Sequence, residues 1–381
     1  METVRIKGKQ KVLNGVDRLD TASSLLRGKR IGLLTNASGV DRNAVPTVDL
    51  ISEKYDLKVL FAPEHGIRSD LQDGLWGENA KDPETGAALV TVRHGDTEGA
   101  KAALEDIDVL VYDIQDVGAR FYTYIYCLSD LMRLCAGAGK EVVVLDRIDP
   151  IGGIGIEGIV LDTEKYSSGI GEFPIPTRYG LTVGEFAKFI NKEYGIGCRL
   201  NVVPCSGWDR RLFADETDLL WVNPSPNITS VNCAINYIGT CIFEATNISE
   251  GRGTTRPFDL VGAPFVDSAR LTQRMTSLKL DGVVFRRAFF TPKFGKYAGE
   301  RCEGVELHIR DRASYSPFET MLYLYRELSY YREFEAKEQS VCLRFGNDAL
   351  CGEYIDPEAI MKASAAPLKA YMKRASAYLI Y

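Results

Sequence analysis

The feature that most constrains this chain is the rhythm of its first half, where short β-branched runs alternate with stretches of helix length. Arg30–Thr35 (RIGLLT), Lys58–Ala62 (KVLFA), Val109–Ile114 (VLVYDI) and Glu141–Leu145 (EVVVL) are apolar and bounded by polar or turn residues, as strands buried on both faces of a parallel sheet must be. Helices are expected between them, around Val48–Lys54, Glu98–Leu104 and Tyr122–Ala138. Strands and helices in this alternation predict an α/β fold, a doubly wound parallel sheet with its site outside the carboxyl ends of the strands.

Those strand ends carry the densest polar clusters of the chain. They are Asn36-Ala37-Ser38-Gly39, Pro63-Glu64-His65-Gly66, Gln115-Asp116-Val117-Gly118-Ala119-Arg120 and Asp146-Arg147-Ile148-Asp149-Pro150. The connection from Glu64 to about Thr91 is long for a compact domain, as lids and binding loops are. From about Ile156 a Gly- and Pro-rich stretch leads to a helix at Thr182–Tyr194, a strand at Arg199–Val203 and a polar loop through Trp221–Asn227. Beyond it come a helix near Thr229–Thr240, strands at Val283–Phe290 and Gly304–Ile309, and helices near Pro317–Tyr331 and Pro357–Tyr378. A chain of 381 residues suits two domains, expected as 1–160 and a smaller α/β (α+β) unit at 161–381.

Composition removes several function classes. Lys plus Arg number 46 against 52 Asp plus Glu, a net charge of −6 without a basic stripe, so nucleic acid is not an expected partner. No run approaches the roughly 20 apolar residues of a membrane-spanning helix. The opening METVRIKGKQKVLNG lacks the apolar core of a secretory signal. That suits a cytoplasmic chain, or a mature periplasmic or secreted fragment behind a new Met, which is the favoured expectation. The nine cysteines are odd in number and include no Cys-x-x-Cys pair, which reads as buried thiols. Gly153-Ile154-Gly155-Ile156-Glu157-Gly158 spells the dinucleotide fingerprint but precedes Ile159–Asp162, which reads as a strand, whereas the fingerprint must open a helix. Gly139-Lys140 lacks the hydroxyl of a P-loop. The histidines His65, His94 and His308 form no zinc motif, and no Gly-x-Ser-x-Gly elbow occurs. No cofactor and no metal are expected.

Three groups of residues keep a chemical reading. Glu64 stands at a strand end, where a partly desolvated carboxyl has its pKa raised and donates a proton near neutrality; a loop carboxylate capping amides is the alternative. Asp113 to Arg120 gathers two acids, Gln115 and Arg120 at the end of another strand, and a helix cap with a surface ion pair would account for either acid alone. Glu250-Gly251-Arg252-Gly253-Thr254-Thr255-Arg256 combines glycines that let backbone approach a ligand with two cations and two hydroxyls, suited to a polar substrate bearing a carboxylate; a phosphate loop or a structural turn competes. Trp76, Trp221 and the Tyr122, Tyr124, Tyr126 series offer a sugar-stacking wall or a core.

Taken in order, Thr35–Gly39, Phe61–Gly66, Asp113–Tyr124, Asp146-Arg147, Pro174–Gly180, Pro224–Asn227 and Ser249–Phe258 resemble the NamZ-type exo-β-N-acetylmuramidases of bacterial peptidoglycan recycling, over nearly the whole chain. The resemblance implies a Rossmann-like amino-terminal domain without nucleotide, a smaller carboxyl-terminal domain and an active cleft between them. It implies release of N-acetylmuramic acid from the non-reducing ends of peptidoglycan-derived muro-oligosaccharides, with Glu64 of the Pro-Glu-His-Gly motif as the acid. His65, Asp116 and Glu250 complete the candidate catalytic set. Candidate substrate-binding residues are Asn36, Asp113, Gln115, Arg120, Tyr122, Arg178, Asn227, Glu244, Arg252, Thr254 and Arg256.

Glycoside hydrolysis needs an acid plus a second carboxylate or the substrate's own acetamido group. N-acetylmuramic acid carries that acetamido group, and its lactyl carboxylate is a natural target for an arginine fork. Arg252 and Arg256 are the favoured readers, with Arg120 and Arg178 behind them. A sugar receptor without catalysis, or a phosphate-handling enzyme with a metal near Asp113 and Asp116, would also use parts of this set.

Overall fold

The computed structural model describes residues 9–68, 80–352 and 354–381. Seven strands form the larger sheet: β1 (Arg30–Thr35), β2 (Asp56–Ala62), β3 (Ala80–Lys81), β4 (Ala88–Thr91), β5 (Val109–Asp113), β6 (Glu141–Leu145) and β7 (Arg199–Val203), in the order β3-β4-β2-β1-β5-β6-β7. Every pairing is parallel except the short antiparallel edge β3–β4. The central strands are apolar along their length and buried, β5 throughout and β1 and β6 after their first residue, as a sheet covered on both faces requires.

The chain winds outward from β1 through β2 to β4, then returns to β5 beside β1 and winds the other way through β6 to β7. The crevice where the winding reverses is where such sheets place their ligands. The doubly wound sheet expected from the sequence is therefore present, with β3 and β4 added inside the long segment after Glu64. The expected division at residue 160 falls between β6 and β7, inside the sequence span of this one sheet. Trp76 lies outside the described residues. Ile159–Asp162, expected as a strand, runs as a loop, and Asp162 caps the short helix Thr163–Tyr166.

The second unit carries a small antiparallel sheet, β8 (Leu260–Ala263), β9 (Val283–Phe290) and β10 (Cys302–Ile309), with β10 in the middle. Its helices start on side-chain caps. Ser230 accepts from Cys233 N–H ahead of Val231–Thr240, and Ser316 accepts from Glu319 N–H ahead of Pro317–Ser329; each cap satisfies an otherwise orphaned amide. In the first unit Thr182 and Glu185 form a capping box for Val183–Glu193. One apolar core runs through both units, from Phe61 and Tyr112 of the sheet through the helix Tyr124–Gly137 to Tyr237, Phe318 and Phe345. All nine cysteines are unpaired thiols, eight of them buried. Among the described residues no helix is long and apolar enough to cross a membrane.

Candidate active site

The turn that ends β2 presents the first two site residues. Gly66 N–H donates to Pro63 O at 3.1 Å, and His65 and Gly66 both take left-handed backbone, with φ of 72° and 77°. For a non-glycine residue that conformation is uphill by about 1 kcal/mol or more, and it is found here on a side chain facing a cavity. Glu64, half-buried, and His65, 6% exposed, line a cleft of about 240 Å³ beside Phe121, Tyr122, Thr123 and Tyr124 from the segment that follows β5.

The aromatic wall of this cleft is an edge-to-face network. Ring centroids lie 4.9 Å apart for Tyr122–Tyr124, 5.1 Å for Phe121–Tyr237 and 4.7 Å for Tyr237–Phe258, within the favoured range for such pairs. Burial pushes the phenols of Tyr122, Tyr124 and Tyr237 well up, so they remain neutral donors. Tyr126, the third of the series, is turned into the core and donates to Arg120 O. Asn36 Nδ2 and Tyr124 Oη both donate to Pro224 O, at 2.8 and 3.0 Å. Asn36 thus anchors the loop that brings Ser225 and Asn227 into the cleft lining. Asn227 Nδ2 is buried without a hydrogen-bond partner among the described residues, a donor facing a polar cavity.

The second unit contributes the charged wall. Glu244 Oε1 accepts from Arg252 Nη2 at 2.6 Å and Glu244 Oε2 from Arg344 Nη2 at 3.1 Å, and all three residues line the cleft. Burial alone would raise Glu244, but the charges of Arg252 and then Arg344 outweigh it and hold the carboxyl below its ordinary value. Behind them Glu250, 4% exposed, pairs with Lys296 at 2.9 Å and lies 3.5 Å from Arg252 Nε. Glu250 does not line the cleft, so it supports Arg252 from behind.

The glycines of this loop serve the protein's own packing rather than a close approach to a ligand. A Cβ on Gly253 would meet Phe294 O at 2.4 Å, and one on Gly251 would meet Arg256 O at 2.7 Å, both at left-handed backbone. Thr254 Oγ1 closes the turn on Gly251 O, and Arg256, 48% exposed, pairs with Asp259 and Glu306 away from the cleft.

The remaining expected residues are structural in their contacts. Asp113 is fully buried in a two-pronged ion pair with Arg147, at 2.6 and 2.8 Å, and accepts from Thr47. Asp116 sits under Tyr179 Oη and Gly118 N–H, and burial raises its carboxyl to about 6. Asp113 is taken up by Arg147 and Thr47, and among the described residues no third ligand-type side chain joins Asp113 and Asp116. Gln115 Nε2 donates to Asp116 O and Ile148 O. Arg120 is 0% exposed and donates to Ile159 O, Ile175 O, Arg344 O and Phe345 O. Arg178 bridges Glu157 and Ile151 O. Trp221 borders a separate small hollow with Gln115. His94, Asp130 and Glu172 bring ligand-type atoms within 4.8 Å of one another, but the Arg133 guanidinium bridges the two acids and supplies the cation.

Arg344, Tyr237 and Phe258 are cleft residues that local sequence signals do not single out. Arg344 and Tyr237 stand inside helices, Glu338–Phe345 and Val231–Thr240, and only the tertiary fold delivers them to the cleft.

A doubly wound sheet, closed at its carboxyl ends by a second unit whose acid and arginines share a polar, aromatic-walled cleft, defines an α/β protein built to act on a polar, ring-bearing small molecule. Residues 31–232 match the family described as exo-β-N-acetylmuramidase NamZ, N-terminal, and residues 235–381 its C-terminal counterpart; the chain belongs to the exo-β-N-acetylmuramidase NamZ family. It is 39% identical over 382 aligned positions to the peptidoglycan β-N-acetylmuramidase NamZ of Bacillus subtilis (strain 168), covering 98% of this chain and 92% of that protein. A crystal structure of a DUF1343 family protein from Bacteroides fragilis NCTC 9343 superposes with a TM-score of 0.91 at 31% identity, covering 98% of this chain and all of that one. A second protein of that family and organism gives a TM-score of 0.78 at 27% identity, covering 97% and 99%.

Proposed function

We infer that this chain is an exo-acting glycoside hydrolase that releases N-acetylmuramic acid from the non-reducing ends of peptidoglycan fragments, with Glu64 as its general acid. The observation that carries the assignment is the shared lining of one cleft by Glu64 and the Glu244–Arg252 pair. Among the described residues lining the cleft the only other carboxylate is Glu244. Both of its oxygens are held by guanidinium groups and its proton is lost early, so proton donation to the leaving oxygen falls to Glu64.

In this reading the sugar lies against Tyr122 and its neighbours, with its glycosidic oxygen at Glu64. As the bond to the anomeric carbon breaks, the Glu64 proton passes to the departing oxygen. The positive charge growing at the anomeric carbon is met by the substrate's own acetamido oxygen, which closes a ring on that carbon; water then attacks the carbon, the ring bond breaks, and the water's proton returns to Glu64. Asn227 Nδ2 is a donor suited to orienting a sugar oxygen or the acetamido carbonyl. Arg252 sets the terminal sugar by its lactyl carboxylate, the group that N-acetylglucosamine lacks. A fragment from a bacterial cell wall is then the partner, and a periplasmic or extracellular location suits that substrate. The test is turnover of a chromogenic β-N-acetylmuraminide beside the matching glucosaminide. Release from the muraminide and little from the glucosaminide supports the reading; equal release from both removes the lactyl argument, and release from neither removes the enzyme.

A further inference from the structure

We propose that Arg344 is a specificity-determining residue, which with Arg252 forms a two-guanidinium receptor, held open by Glu244, for the lactyl carboxylate of the terminal sugar. The proposal rests on the muramidase reading above and extends it to a residue from a distant part of the chain.

The geometry begins with Glu244. One carboxylate takes Arg252 on Oε1 and Arg344 on Oε2, so it fixes two like charges side by side that would otherwise repel. Arg252 and Arg344 thus stand together on the cleft wall with Glu244 between them, and Lys296 pairs with Glu250 behind them. A guanidinium has five N–H donors, and the bonds that Arg344 donates to Glu244 and, at 2.7 Å, to Ser340 Oγ use two of them. Both arginine side chains are mostly shielded, with 18% and 21% of their surface exposed. A carboxylate docking there meets them with less water in between than at an open surface, where such pairs contribute little.

The fold invests in the position of Arg344. It stands in the last turn of the helix Glu338–Phe345, whose last carbonyls, Arg344 O and Phe345 O, accept from Arg120 Nη2 at 2.7 and 2.9 Å. Arg120 belongs to the first unit and holds Ile159 O and Ile175 O with its other Nη. A buried cation thus pins the end of this helix to the sheet domain, satisfying carbonyls that a helix terminus leaves orphaned. The following residue, Gly346, takes φ of 102°, and a Cβ there would lie 2.8 Å from Arg120 Nη2. Arg120, a second-rank candidate reader in the sequence, therefore acts as a strut, and the arginine it steadies stands in the cleft.

The test compares the parent, R344A and R344K on the chromogenic muraminide and glucosaminide, with thermal melting as the fold control. R344A is expected to lose tenfold or more in kcat/KM on the muraminide, carried by KM, while its rate on the glucosaminide stays within about twofold, so that discrimination collapses. R344K keeps the charge and loses the fork, and should fall in between; if R344A does not fold, R344K decides, with a several-fold loss of discrimination expected. Variants that keep the parent's preference, or that lose both activities in proportion, overturn the proposal while leaving the muramidase reading intact. A parent that cleaves neither sugar overturns both.

Discussion

Three buried carboxyls predict that the stability of this protein falls as pH rises toward neutrality. Burial raises Asp116 and Asp146 to about 6 and Asp149 to about 7, from an ordinary value of 3.8. Asp116 Oδ1 and Asp149 Oδ2 have no hydrogen-bond partner among the described residues, so the charged forms meet burial without full compensation. Between pH 4 and 7 the native state binds more protons than the unfolded chain, in which these groups have already ionised. Stability from them is complete below the unfolded value and is lost as pH rises through the folded values. At about 1.4 kcal/mol for each pH unit separating the two values, the part lost between pH 5 and 8 is on the order of 1–3 kcal/mol per group and about 5 kcal/mol together. Groups held low, such as Asp82, Asp130 and Glu244, titrate below this window. Urea unfolding at pH 5, 6, 7 and 8 should show the midpoint falling from pH 5 to 7 and levelling off toward pH 8, and Asp149→Asn should remove about half of the total fall. A midpoint that is level or rises across this range, or a fall untouched by Asp149→Asn, would refute the reasoning.

Other perturbations separate chemistry from structure. Glu64→Gln should lower kcat by about a hundredfold or more with an unchanged melting temperature; near-parent activity on a substrate with a poor leaving group would remove Glu64 as the acid. Arg120→Met strands four carbonyls and should cost about 3–5 kcal/mol in unfolding free energy; a variant as stable as the parent would mean that the strut carries no load. Asp113→Asn leaves Arg147 buried with a weakened partner and should destabilise by a similar amount, which denaturant titration would show. Activity should survive exhaustive chelation, because Arg133 already bridges Asp130 and Glu172; loss that magnesium, calcium or zinc restores would contradict this.

Much of the fold is legible because its determinants are local. RIGLLT, VLVYD and EVVVL read as buried strands from their own residues, and Ser230, Ser316 and Asp356 mark helix starts where they cap them. Glu64 and His65 are legible as cleft residues from their place at the end of a buried strand, although the same signal after β5 marks residues whose contacts are structural. Arg344 is not, since nothing within its helix distinguishes it from a solvated arginine; its place depends on Arg120, 224 residues earlier. The same long-range dependence hides the fates of Arg120, Asp113 and Arg178. Each looks like a ligand reader in a polar motif, and each is held by carbonyls or a countercharge that lie far away in sequence. The glycines near Arg252 misdirect for a related reason, as the backbone they admit is that of Phe294.

The central claim, exo-acting removal of a terminal N-acetylmuramic acid at the Glu64 cleft, is tested most directly by product analysis on two defined peptidoglycan tetrasaccharides, one ending in N-acetylmuramic acid and one in N-acetylglucosamine at the non-reducing end. Mass spectrometry should find free N-acetylmuramic acid and a trisaccharide from the first, no change in the second, and neither product with Glu64→Gln. Disaccharides from internal cleavage, or a free sugar released from the N-acetylglucosamine-ended chain, would contradict the account.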